Sequence, residues 1–178
     1  MAAALGLSQT PDAGKVRAKI ALIEADAVAP KSRVEFPLRE ILAYANEEGR
    51  KEVGDGFRNL RLTLGSNAAS GSAIVNFVKL KTARGEPPGL VLRWMLRGDR
   101  QLAASARFQS GGGKARVDVD EVTLDGLVLR GKLLDLLIDY YLLPRYPDAK
   151  IGKPFDLHHG IDRIDVTPAG VTVRMTGP

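Results

Sequence analysis

Apolar residues recur at every second position through the middle of the chain, and a period of two predicts strands. Five consecutive candidates span 57–64, 72–80, 90–97, 100–109 and 114–124. Turn chemistry fills the gaps: Gly65, Ser66 and Asn67; then Gly85, Pro87, Pro88 and Gly89; then Gly98 and Asp99; then Gly111, Gly112 and Gly113. Short connections between successive strands imply antiparallel pairing, a meander rather than a parallel sheet. In the third candidate Leu90, Leu92, Trp94 and Leu96 point one way, while Val91, Arg93, Met95 and Arg97 point the other. In the fourth, Leu102, Ala104, Ala106 and Phe108 face the interior. The expected sheet is apolar on one side and basic on the other.

The flanks follow other periods. Residues 15–27 fit two patterns: Val16, Ala18, Ile20 and Leu22 alternate, and Val16, Ile20, Ile23 and Ala27 fall at helical spacing. The helical pattern is preferred, ending at Pro30. A clearer helix follows, with Pro37 in its first turn, Leu38, Ile41, Leu42 and Ala45 on one stripe, and Gly49 closing it. Its opposite face, Arg39, Glu40, Glu47 and Glu48, is expected to be solvated. After the Asp125-Gly126 turn comes the most apolar stretch, 133–143, which Pro144 stops. Asp135 and Asp139 are its only charges and share one side, so the rest of this helix must be buried or must face something apolar that is not protein. A last hairpin spans 161–166 and 171–175 around Thr167-Pro168-Ala169-Gly170. The fold class is therefore α+β: an antiparallel meander, one long apolar helix, a short N-terminal helix and a C-terminal hairpin. Residues 1–14 read as a disordered lead-in and 15–178 as a single domain.

Composition narrows the chemistry. Of 178 residues 44% are hydrophobic, enough for a core and too many for a disordered tail. No cysteine means no disulfide, thiol nucleophile or Cys-ligated metal. The net charge of +5 is unevenly spread: residues 50–116 carry 13 basic and 4 acidic side chains, and the remainder is net acidic. The basic segment coincides with the sheet, so its charge is expected on the outer face and turns.

Catalytic signatures are missing. His158 and His159 are adjacent and in extended backbone would point apart, a poor arrangement for one metal. Asp118, Asp120, Glu121 and Asp125 form the densest acidic cluster, but Asp118 and Asp120 alternate with Val117 and Val119 as a solvated strand face does. Gly111-Gly112-Gly113-Lys114 lacks the spacing and the Ser or Thr of a phosphate loop, and no G-x-S-x-G is present. A non-enzymatic protein with neither cofactor nor metal is expected. A basic sheet that bound RNA would display aromatics for stacking, whereas Phe57, Trp94 and Phe108 fall on the apolar alternation, which argues against nucleic acid.

The last third runs Val117-Asp118-Val119-Asp120-Glu121-Val122, Leu124-Asp125-Gly126-Leu127, the apolar helix, Pro154-Phe155-Asp156-Leu157, and then residues 161–173. This pattern resembles the C-terminal half of LmeA-like phospholipid-binding proteins and, more loosely, the tubular lipid-binding superfamily. Leu42-Ala43-Tyr44-Ala45-Asn46 is similar to the short helix that opens such domains. The longer basic sheet and the Tyr140-Tyr141 pair depart from the family pattern. The resemblance implies a strongly curved sheet wrapped around the long helix, with lipid tails between them, and a place in the cell envelope or periplasm with any export signal or anchor outside this sequence.

The expected function is thus binding, extending to transport, of a lipid or other hydrophobic molecule. Phe57, Phe77, Leu92, Trp94, Leu96, Phe108, Leu133, Leu137, Tyr140 and Tyr141 are the expected apolar groove, and Arg93, Arg97 and Arg100 the contacts to head groups or a transient anionic membrane surface. The alternative is a structural or interaction module of the envelope with a closed core and no ligand.

Overall fold

The computed structural model describes residues 10–82, 90–139 and 150–177. The protein is α+β, with two antiparallel sheets and a few helices. The first helix, α1 (Pro11–Glu24), is capped by Thr10, whose backbone is extended and whose side-chain oxygen accepts the Ala13 N–H, and it has Pro11 in its first turn. It therefore begins inside the segment expected to be a lead-in, four residues before Lys15. Next come β1 (Arg33–Pro37), which the sequence patterning missed, and α2 (Leu38–Val53), which runs past Gly49 to a cap at Gly54.

A long β-hairpin, β2 (Phe57–Gly65) and β3 (Ala68–Asn76), turns at Ser66-Asn67. Helices α3 (Phe77–Thr82) and α4 (Leu90–Met95) lie between β3 and β4 (Asp99–Gly111). The hairpin of β4 with β5 (Lys114–Leu124) turns at Gly112 and Gly113, both at positive φ. Short β6 (Leu127–Val128) follows the Asp125-Gly126 turn, and α5 (Lys132–Leu137) follows β6. After β7 (Phe155–Asp156) the chain ends in the hairpin of β8 (Ile161–Thr167) and β9 (Gly170–Met175). The large sheet has the order β2-β3-β4-β5-β6, with β7 on β5; the small one is β1-β9-β8.

Two sequence expectations are overturned here. Residues 90–97 are not the third strand of the meander. β3 pairs with β4 along its whole length, from Ala68 opposite Arg107 to Asn76 opposite Asp99, so no ladder edge remains between them for another strand. Likewise the strand expected over 72–80 stops at Asn76, whose side-chain oxygen accepts the Lys79 N–H at 3.1 Å and opens α3. The long helix expected over 133–143 appears as α5 followed by a wider turn at Ile138 and Asp139; Tyr140, Tyr141 and the rest of that span lie outside the described residues.

Two bulges interrupt the large sheet. Asn59, at positive φ, and Leu60 stand where β3 offers only Ala73, and Asp120 is the extra residue between the pairs Ser105–Glu121 and Ala106–Val119. Such insertions bend a strand and increase its twist. The small sheet joins the large one through β8: Ser110 Oγ donates to the Ile164 carbonyl at 2.7 Å and accepts the Ile164 N–H at 2.8 Å, while the Asn67 N–H donates to the Val166 carbonyl at 2.9 Å.

Of the α2 face expected to be solvated, Arg39 is exposed, whereas Glu40, Glu47 and Glu48 are covered by α1. Glu40 is only 4% exposed and accepts Lys19 Nζ at 2.6 Å. Arg17 Nη2 reaches both Glu47 and Glu48, at 2.7 and 2.9 Å, and its guanidinium lies over the Tyr44 ring. The backbone N–H of Thr10 donates to Glu47, and with the Thr10 hydroxyl and Arg17 it draws this carboxyl down to about 2.

Candidate functional site

The interior face of the large sheet is thinly furnished at its centre. Register places Gly71 beside Ala104 and Ala104 beside Val122; the next row is Ala69, Ala106 and Val119. Where a filled core would carry Leu or Phe, the middle strand offers methyl groups. The space above them is a groove of about 390 Å³. Its floor is Leu102, Ala104 and Ala106 of β4 with Val119 and Val122 of β5. One wall is Gly49 and Val53 of α2 with Phe57; the other is Leu134, Leu137 and Ile138. Phe77 and Val75 close one end, and Glu52 is the one charged side chain among the described lining residues.

The groove sits against the larger of two apolar clusters. Ala73, Val75, Phe77, Leu96, Val122, Leu124, Leu129 and Leu137 are its buried members, and Phe57, Leu102, Val119 and Leu134 pack against it half-buried. Those half-buried members leave the groove open on one side. The second cluster, built on Val16, Ile23, Phe36, Val173 and Met175, fills the space between α1, α2 and the small sheet.

Of the residues expected to line an apolar groove, Phe57, Phe77 and Leu137 do so. Leu96 lies behind it at 1% exposure. Leu133 and Phe108 are half-buried but outside the lining, and Leu92 lies on α4 with its side chain outside the described set. Trp94 is corrected outright: at 79% exposure it stands on the surface. The alternation that paired it with Leu96 belongs to a strand, and α4 ends at Met95, so Leu96 turns inward while Trp94 stays out. Patterning missed the α2 wall and Ile138, because residues of three separate segments meet here only through the packing of α2 and α5 on the sheet.

The basic outer face is also corrected. Arg107 Nε meets Asp120 and Arg116 Nη2 meets Asp118, each at 2.8 Å. Arg100 Nη1 meets Asp125 at 2.8 Å, Lys114 meets Asp156 at 2.6 Å, and Arg58 meets Asp99 at 2.7 Å. The acidic cluster of β5 and its following turn is therefore the counter-charge of β4. The Gln101 N–H and then Arg100 hold the Asp125 carboxyl below its ordinary value; Arg58 and then Asn76 do the same for Asp99. Such exposed pairs each contribute little stability, but they set a carboxylate beside most of the bases on the strands of this sheet. Arg93 and Arg97 are exposed and pair with no carboxylate among the described residues.

Two other hollows differ in chemistry. One of about 370 Å³ on the outer face is lined by Ser70, Ser72, Ser105 and Thr123 with Arg61 and Glu121. Another of about 460 Å³ lies between Trp94 and Leu127. Among the described residues no group of three or more His, Asp or Glu side chains is placed to hold a metal ion. No family model, curated protein or solved structure matches the chain.

Proposed function

We propose that the protein binds a hydrophobic ligand, the acyl chain of a lipid, in the groove between the β4–β5 floor and the walls of α2 and α5. The observation that carries this reading is an open space of about 390 Å³ whose described lining is apolar except for Glu52 and Ser105. That volume falls in the range of small-molecule sites. An apolar trough left to water is unfavourable, and burial of a chain in it is worth roughly 0.8 kcal/mol per methylene. Eight buried methylenes supply about 6 kcal/mol before the cost of immobilising the chain, so affinity needs no specific polar partner. Glu52 and Ser105 are the only polar side chains among the described lining residues, so recognition rests mainly on the tail. The likeness of the C-terminal third to LmeA-like and tubular lipid-binding proteins points the same way and extends the reading to a carrier in the cell envelope.

The test is organic extraction of the purified protein followed by mass spectrometry, together with titration by a fluorescent long-chain fatty acid. Co-purified lipid, or saturable uptake competed by unlabelled fatty acid, supports the reading. A protein that carries no lipid and takes up none is a structural module, and the proposal falls.

A further inference from the structure

The three most exposed large apolar side chains among the described residues are Leu90 at 82%, Trp94 at 79% and Leu127 at 63%. They are neighbours. Leu90 and Trp94 lie one turn apart on α4, and Trp94 shares with Leu127 of β6 the lining of the hollow of about 460 Å³. Arg93 and Arg97 flank the tryptophan, and neither has a carboxylate partner among the described residues. The one acid in the hollow, Asp125, is held by Arg100 at 2.8 Å. Arg61 aside, the bases on the strands of this sheet are paired with acids, so unpaired positive charge and exposed apolar surface coincide at this patch.

We propose that this patch docks on an anionic lipid bilayer, Trp94 entering the head-group layer with Leu90 and Leu127 while Arg93 and Arg97 meet lipid phosphates. The chemistry of the patch selects this occupant. An amphipathic indole and two leucines suit the boundary between head groups and chains, and arginine binds phosphate through a planar fork. Three side chains are few for a protein interface, which needs about 800 Å² on each partner, whereas a bilayer requires no matching surface. The patch is separate from the apolar groove, and the proposal stands whether or not the groove holds a ligand.

Trp94 is the only tryptophan of the chain, so its emission reports this patch alone. Phosphatidylcholine vesicles containing phosphatidylglycerol are expected to shift that emission to the blue, brominated lipids to quench it, and added salt to weaken both effects. Arg93→Gln with Arg97→Gln is expected to weaken binding about 30-fold at low salt, from the usual contribution of two basic residues near an anionic surface. Both are exposed and the melting temperature should not move. Trp94→Ala, followed by vesicle co-sedimentation, is expected to lose binding as well. Emission unchanged by anionic vesicles, or equal binding to pure phosphatidylcholine, overturns the proposal. So does a blue shift that appears without lipid as protein concentration rises, which would make the occupant a second copy of the chain.

Discussion

Gly49→Ala tests the groove where helix meets sheet. A Cβ at this position would stand 2.4 Å from two ring carbons of Phe57, and ordinary contact begins at 3.4 Å, so the ring must retreat by about 1 Å. Gly49 and Phe57 are both lining residues, and the open volume beside the ring is the groove. Two opposing contributions to stability follow. Alanine in place of glycine inside α2 adds about 0.5–1 kcal/mol of helix propensity. Overpacking a closed core would cost about 1–3 kcal/mol, less where the displaced group has room. The net change is expected within about 1 kcal/mol, which moves the melting temperature by no more than about 4 °C. Ligand binding should suffer more. If the ring displaces one or two methylenes of the bound chain, the loss is about 0.8–1.6 kcal/mol, or roughly 4- to 15-fold in affinity. Titration of the variant with a fluorescent fatty acid, beside a thermal melt, reads both quantities. Phe57→Leu in the Gly49→Ala background removes the ring edge and should restore part of the affinity. Unchanged affinity with an unchanged melt would refute the reasoning. A stability loss above about 3 kcal/mol would also refute it, because the ring would then have no empty space to enter.

The correction at residues 90–97 has its own test. Leu96→Ala should cost about 2–5 kcal/mol, since the side chain is 1% exposed within the main cluster, while Trp94→Ala should stay within about 0.5 kcal/mol; equal and large losses in chemical denaturation would restore the strand. Glu47 carries an acid dependence: its carboxyl is lowered from 4.5 to about 2 in the folded protein by Thr10 and Arg17, so its contribution is present above 4.5 and lost as pH falls towards 2. Melting temperature should drop across that window, and Glu47→Gln should flatten the drop; an unaltered acid limb would sink the account.

Local chemistry was readable without the structure. The alternation over β2, β4 and β5 set which faces are apolar, and the glycine and asparagine turns fixed where those strands reverse, because hairpin geometry depends on residues adjacent in the chain. The Leu38 stripe identified α2 for the same reason. Patterning failed where neighbours decide. Residues 90–97 alternate as a strand should, yet β3 already occupies the edge of β4, so the segment is helical. β1 went unseen because its five residues become a strand by pairing with β9, far along the chain.

The candidate site divides along the same line. Sequence alone established an α+β chain without thiols, with an apolar face that includes Phe57 and the alanines of β4, and with more bases than acids over residues 50–116. Only the tertiary structure decided that those alanines lie beneath a groove instead of a filled core, because a void depends on what α2 and α5 bring over the sheet. It also decided that much of the basic face is paired: Arg100, Arg107 and Arg116 meet acids on β5 and its turn at distances that composition cannot supply. Charge sums over a segment count residues, whereas fields depend on separations of a few ångströms. Trp94 alternates with Leu96 as a core residue would, yet three-dimensional packing turns Leu96 inward and leaves Trp94 on the surface.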